Sequence, residues 1–382
     1  MTHDWEHVLL GPNCTKIGSG ATPRGGEAVY VDTGVALIRS QNVYNGKFSD
    51  EGLAYIGDKH AEQLAGVTVE EGDVLLNITG DSVARSCRVP SSVLPARVNQ
   101  HVALIRPKPD DFDSRYLSHF LVSPQMQKVM LSLAGTGGTR KALTKEMIQR
   151  FQVPKPPLAV QRDIAEVLSR YEELIENNRK RIALLEEAAR LLYREWFVHL
   201  RFPLHEHVTC VDGVPHGWAY SAVGSVIELR YGKALKAEDR VAGDFDVYGS
   251  SGVVGTHKAA LTPGPAIIVG RKGNVGSIFW SPSDFWPIDT VYYVPKEQCD
   301  LWLYFALPLA GFQNTDGGVP GLNRDFAYSR KLLCPTTQIR QLFNEAVQPM
   351  FRQVTVLQTT NRKLAEARDL LLPRLMNGEI AV

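Results

Sequence analysis

Surplus charge of either sign is missing: 42 lysines and arginines face 41 aspartates and glutamates, a formal net charge of +1. Bulk electrostatics proposes no nucleic-acid or membrane partner, and any basic patch has to be local. Cysteine is scarce and unsuitably spaced. Cys14, Cys87, Cys210, Cys299 and Cys334 never approach Cys-x-x-Cys spacing, which excludes a disulfide framework and a cysteine zinc site. Long apolar runs are absent: the longest, Leu301–Phe312, has 12 residues with Pro308 inside it, against the ~20 that a membrane helix needs. The segment Met1-Thr-His-Asp-Trp-Glu6 carries acids where a secretory signal needs basic residues and then an apolar run. The expectation is a cytoplasmic protein of a reducing compartment with no membrane contact.

Enzyme signatures are also wanting. Gly135-Thr-Gly-Gly-Thr-Arg-Lys141 is glycine-rich and basic but lacks P-loop spacing; it reads either as a structural turn or as a DNA-backbone contact by Thr139, Arg140 and Lys141. An adenine methyltransferase needs an Asn/Asp-Pro-Pro-Tyr/Phe loop, and the lone Pro-Pro pair here is Lys155-Pro-Pro-Leu158. His205-Glu-His207 with Cys210 sketches part of a metal site, but it lies in a linker. No carboxylate pair suited to acid–base or two-metal work recurs. The chain is expected to be non-catalytic, with no metal and no cofactor of its own.

What the sequence does contain is a repeat. Its 382 residues suggest two or three domains, and two Pro-led segments, from Pro156 and from Pro335, each open a long helical pattern 179 residues apart. Apolar residues recur every seven positions, as Ile164, Tyr171, Asn178, Leu185 and Leu192 in one copy and Phe343, Met350, Leu357, Leu364 and Leu371 in the other. Leu168, Ile175, Ile182, Ala189 and Trp196 add a flanking row. Such a ladder marks helices that pair lengthwise, here ~37 residues and ~55 Å each. Asn178 on the seam fixes register or marks a splay, and Pro349 is expected to kink or interrupt the second helix.

The repeat extends outward. Trp5-x5-Gly11 matches Trp218-x5-Gly224, Gly72-Asp-Val-Leu-Leu76 matches Gly264-Pro-Ala-Ile-Ile268, Gly80 matches Gly273, and Gly137-Gly138 matches Gly317-Gly318. The front offset is 213 residues and the back offset 179, so the second copy is shorter by loops. Short β-rich runs between Gly/Pro/Asn turns, with helices near Ser114–Leu133 and Leu301–Leu309, give each globular part an α+β reading. The expected division is 1–155, a first globular domain; 156–200, a first spacer helix; 201–334, a second globular domain; and 335–382, a second helix and tail.

Polar and basic loops beside strands are the candidates for DNA contact, because Arg, Lys, Asn and Gln can bond two atoms of a base edge and Ser, Thr and the cations also hold phosphates. They are Arg24, Arg39, Gln41, Asn42, Arg85 and Arg88, with Thr139, Arg140 and Lys141, in the first part. In the second they are Lys233, Lys236, Ser250, Ser251, Arg271, Lys272, Asn274, Asn323 and Arg324.

Order and duplication make these elements specific. Each of two unlike globular parts begins with Trp-x5-Gly, followed in the first by Gly18-Ser-Gly-Ala-Thr-Pro23, and ends in Gly-Gly, a short helix and a Pro-led turn into a long helix. The second helix closes with Arg368-Asp-Leu-Leu-Leu-Pro-Arg-Leu-Met-Asn-Gly-Glu-Ile380. In this the chain resembles the specificity subunit of type I restriction–modification systems over nearly its whole length. The resemblance implies two α+β target-recognition domains separated by two antiparallel coiled-coil helices, related by a pseudo-two-fold axis. It implies that each domain reads half of a split double-stranded DNA target and that the helices set the unread gap. Two copies of a DNA adenine methyltransferase, carrying S-adenosylmethionine, would dock on the chain, and restriction/translocase subunits using ATP and magnesium could join. A DNA-targeting subunit of another modification or phage-defence assembly is the alternative. The second Pro-led turn, Pro335-Thr-Thr-Gln-Ile339, lacks the Leu-x-x-Gln of Pro157-Leu-Ala-Val-Gln161, so docking at the two helices need not be equivalent.

Overall fold

The structure, a computed structural model, describes residues 5–135, 141–315, 321–380 and 382. The chain divides into two compact units: unit 1 is residues 1–177 with 361–382, and unit 2 is residues 178–360. Each unit therefore holds one globular part and half of each long helix.

The long helices are Leu158–Tyr193 and Thr337–Met376. Of the kink or interruption expected at Pro349, the interruption does not occur: the second helix runs through it, and the ring lies on the exposed side. In unit 1 the start of the first helix (Ile164, Ala165, Leu168) shares a core with the end of the second (Leu372, Leu375, Met376). In unit 2 the end of the first (Ala189, Tyr193) packs with the start of the second (Phe343, Val347, Phe351). The helices run antiparallel in both units. Every residue of the seven-residue ladder is buried or half-buried, including Tyr171, Asn178, Leu185, Leu192, Met350, Leu357, Leu364 and Leu371, as one apolar seam per helix requires.

The globular parts share a plan. Strand His7–Leu9 pairs with Gln152–Pro154, placing Val8 opposite Val153, and Ala219–Ala222 pairs with Lys331–Cys334, placing Ser221 opposite Leu332. These registers carry the offsets of 213 and 179. Each part then has a four-stranded antiparallel sheet. Unit 1 orders its strands Ser86–Arg88, Val74–Asn77, Val102–Pro107, Cys14–Ser19; unit 2 orders them Ile278–Ser281, Ala266–Gly270, Val291–Val294, Arg230–Tyr231. The second strand is buried along its whole length, and apart from Asn77 it is apolar, because both its faces are covered. Val74 and Leu76 point into the core under the long helices and Leu75 into a second core, and Ile267 and Val269 against Ile268 repeat the division.

The second sheet differs. Unit 1 has five strands (Tyr30–Val31, Ala54–Ile56, Val35–Ile38, Ala96–Val98, Thr68–Val69) and unit 2 three (Gly252–His257, Phe245–Gly249, Phe285–Pro287). The offset falls from 212 at Gly20/Gly232 to 193 at Asn77/Gly270, so much of the shortening falls in this region, and it comes mainly from turns and short helices rather than from strand residues, as the sequence reading expected. The expected helix Ser114–Leu133 is two helices, Ser114–Val122 and Pro124–Gly135. Pro124 supplies the break, because it cannot donate to the preceding turn.

Candidate nucleic-acid interface

In unit 2, loops far apart in sequence meet at one end of the four-stranded sheet. Arg271 leaves strand Ala266–Gly270; its backbone N–H donates to Thr290 O and its carbonyl accepts from Leu322 N, while Lys272 bridges to Gly321. That ladder brings Asn323 and Arg324 to the same place. Both guanidinium carbons lie 5.1 Å from the centre of the Tyr231 ring; Arg271 also lies 5.7 Å from that of Tyr292, and Arg324 5.9 Å from that of Tyr328. Stacking on ring faces fixes guanidinium planes at little cost in solvation. One Arg271 Nη donates to Asp289 O at 2.9 Å. Tyr292, pushed up to about 12 chiefly by burial, stays a neutral donor and bonds Leu322 O at 3.0 Å. No carboxylate comes within ion-pair distance of Arg271, Lys272, Arg324 or Lys233 among the described residues. No ion pair among the described residues offsets the positive charge here.

Lys233 follows directly, its N–H bonded to Pro287 O. Ser250 and Asn274 close the other side, both offering carbonyls to the Ser277 hydroxyl (2.7 and 2.9 Å). Asn323 spends its side-chain oxygen capping Asp325 and Phe326. Ser251 lies beyond, in a cavity beside Tyr248 and Phe279, and exposed Lys236 faces Glu238 at 3.6 Å.

The unit 1 candidates do not gather in this way. Arg39 is held by Glu27 at 3.4 Å and Gly52 O at 2.7 Å, and Gln41 donates to the same carbonyl. Asn42 is fully buried, its amide bonded to Ser49 O and Glu51 O. It shapes that loop and offers nothing to a base, which corrects its assignment. Arg85 stacks 5.0 Å from the centre of the Tyr44 ring. Arg88 is exposed but lies in the field of Glu172 on the first long helix. Arg24 is exposed at a small cavity with Gln63. Lys141 is exposed, its carbonyl accepting from Gly80 N; Thr139 and Arg140 lie outside the described residues. His205 bonds Phe202 O, and no group of three or more metal-ligating side chains converges among the described residues. Nor, among them, is any helix long and apolar enough to cross a membrane.

Sequence reasoning missed Tyr231, the ring that organises the unit 2 cluster, along with Tyr328. The dipeptide Arg230-Tyr231 at a strand start was the available signal.

Comparison with known proteins agrees with this architecture. Residues 4–187 and 215–324 match the family model described as the type I restriction modification DNA specificity domain. The MjaIX specificity subunit of a type I restriction enzyme from Methanocaldococcus jannaschii is 23% identical, over 99% of this chain and 94% of that one. The HindI specificity subunit from Haemophilus influenzae is 21% identical over 91% and 94%. A crystal structure of a type I restriction–modification S subunit from M. genitalium superposes with a TM-score of 0.60 over 97% of this chain and 96% of that one, at 15% identity.

Proposed function

The chain belongs to the type I restriction–modification DNA specificity family, and we propose on that footing that it reads a split, asymmetric double-stranded DNA target, one half by each globular part. The observation that carries this is the cluster of Arg271 and Arg324 on the rings of Tyr231 and Tyr328, with Lys272 beside them and no ion pair to any of the three among the described residues. An arginine fork matches the O6 and N7 atoms of guanine, and nearby lysines hold phosphates.

The chain's part in the reaction is to position DNA. Two copies of an adenine methyltransferase, carrying S-adenosylmethionine, dock along the long helices. Leu184 (70% exposed), Val356 (61%) and Leu370 (71%) are outward apolar residues suited to covering by a partner. Restriction/translocase subunits with ATP and magnesium complete the assembly. A net charge of +1 suits a reader whose partners supply much of the phosphate-binding charge.

The test is single-molecule mapping of N6-methyladenine in cells carrying this gene with its methyltransferase, against a strain lacking only this gene. Loss of one split, asymmetric motif is expected. An unchanged methylation pattern with the methyltransferase expressed overturns the proposal and turns attention to other partners.

A further inference from the structure

We propose that Gln100 is a specificity-determining residue of unit 1 and that it reads an adenine; the inference rests on the DNA-reading role set out above. Five backbone contacts that assemble the unit 2 cluster recur in unit 1. Arg271 N to Thr290 O is matched by Ile78 N to His101 O, and Leu322 N to Arg271 O by Leu143 N to Ile78 O. The bridge Lys272–Gly321 is matched by Thr79–Ala142. Gly232 N to Val291 O and Lys233 N to Pro287 O are matched by Gly20 N to Val102 O and Ala21 N to Val98 O. Gly80 and Gly273 follow with φ of +74° and +77°.

The same place on the fold therefore carries different chemistry in the two units. Ser19 stands for Tyr231, Ile78 for Arg271, Thr79 for Lys272, Gln100 for Asp289, His101 for Thr290 and Lys145 for Arg324. In unit 2 the Arg271 guanidinium is tied to the main-chain carbonyl of Asp289, the counterpart of Gln100, so Gln100 stands on the backbone beside which the unit 2 guanidinium lies. It is exposed and it is oriented. Its Nε2 lies 3.2 Å from Nε2 of His101, and Nδ1 of His101 lies 2.7 Å from the Thr79 hydroxyl. With the amide donating to Nε2, the imidazole carries its hydrogen on Nδ1 and donates to Thr79. That leaves Gln100 one N–H and its Oε1 with no partner among the described residues, the donor–acceptor pair that fits N7 and N6–H2 of adenine. Lys145, exposed at the counterpart of Arg324, is left for phosphate.

The experiment maps the methylated motif of complexes assembled from this chain and its adenine methyltransferase, comparing the wild type with Gln100→Ala, His101→Phe and Arg324→Ala. Gln100→Ala should relax one A·T position in one half-target by roughly 5- to 150-fold, the discrimination of one bidentate contact. Arg324→Ala should relax the opposite half. His101→Phe keeps a ring but removes both ring nitrogens, and should relax the Gln100 position and no other. A wild-type split motif that Gln100→Ala leaves unchanged, or relaxes at a G·C pair, overturns this assignment alone. Absence of any split motif with the wild-type chain overturns the reading on which it rests.

Discussion

The two long helices enter their globular parts at matching positions and are seated there by unlike chemistry. In unit 1 the neutral amide of Gln161, fully buried, accepts from Asp113 N at 3.0 Å and donates to the carbonyls of Asp111 (3.1 Å) and Pro156 (2.9 Å). In unit 2 the counterpart is Arg340, whose Nε reaches Asp300 at 2.6 Å while its guanidinium lies 4.4 Å from the centre of the Trp302 ring. The backbone task passes to Asn344, which accepts from Trp302 N at 2.8 Å and steadies Asp300 at 2.9 Å. In both units the helix so held begins with an aspartate cap, Asp113 or Asp300. The sequence departure at the second Pro-led turn is thus a change of means. One seat is built of neutral hydrogen bonds, the other of an ion pair with a supporting ring.

The comparison can be broken most severely where the two units agree. A Cβ on Gly20 would lie 1.9 Å from Val98 O, and one on Gly232 would lie 2.0 Å from Ile288 O. Backbone cannot yield as a side-chain tip can, so Gly20→Ala and Gly232→Ala should each destabilise their own unit by about 3 kcal/mol. Urea unfolding followed by hydrogen exchange would resolve the units, and a marked inequality would show that the two sheets are not built alike. Next come the seats. Gln161→Ala strands a buried N–H and two carbonyls and should cost roughly 2–3 kcal/mol. Arg340→Ala should cost about 1 kcal/mol, because Asp300 keeps Asn344 and the pair is partly exposed, at 30% and 26%. In 1 M salt the Arg340 contribution should shrink while that of Gln161 holds. Equal salt dependence would erase the distinction between the seats.

How far the sequence disclosed this depended on which interactions decide each feature. The helices and the outer offsets were legible because a seven-residue ladder and two Pro-led turns are local, and the registers of Val8 with Val153 and Ser221 with Leu332 carry the same offsets. The strand match anchored on Gly72 and Gly264 is one residue out: Val74 pairs with Ile105 as Ile267 pairs with Val294, so the counterpart of Val74 is Ile267, not Ala266. Both strands are buried on both faces, so no alternation of buried and exposed positions fixes the register. The unit 2 cluster was partly legible as charge. Its unit 1 counterpart was not, because Thr79, Gln100 and His101 carry no net charge signal and meet only through backbone ladders. Asn42 shows the opposite error, a side chain whose chemistry suits a base but whose donors the loop consumes.

The smallest expected effect is again an asymmetry between the units. In unit 1, His119 lies 3.6 Å from Glu172, and the corresponding positions in unit 2 are Ala306 and Phe351, both in the apolar core. Burial lifts Glu172 to about 7, with Arg368 and Arg88 opposing. Burial, then Arg368 and Arg115, holds His119 down to about 4, while Asp113 opposes and Arg88 adds a little. The raised carboxyl favours the folded state fully below about 4.5, and that advantage fades as pH climbs to about 7. The depressed imidazole favours it fully above 6.5, and that advantage fades as pH falls to about 4. Between about 4.5 and 6.5 the two slopes oppose, so unit 1 should be nearly indifferent to pH in that window. Glu172→Gln leaves the imidazole alone, and unit 1 should then gain stability as pH rises through the same range. His119→Phe should produce the reverse slope. Denaturant midpoints at pH 4.5, 5.5 and 6.5, resolved by unit through hydrogen exchange, check both signs; identical profiles in the two variants would mean that neither group is held as its surroundings require.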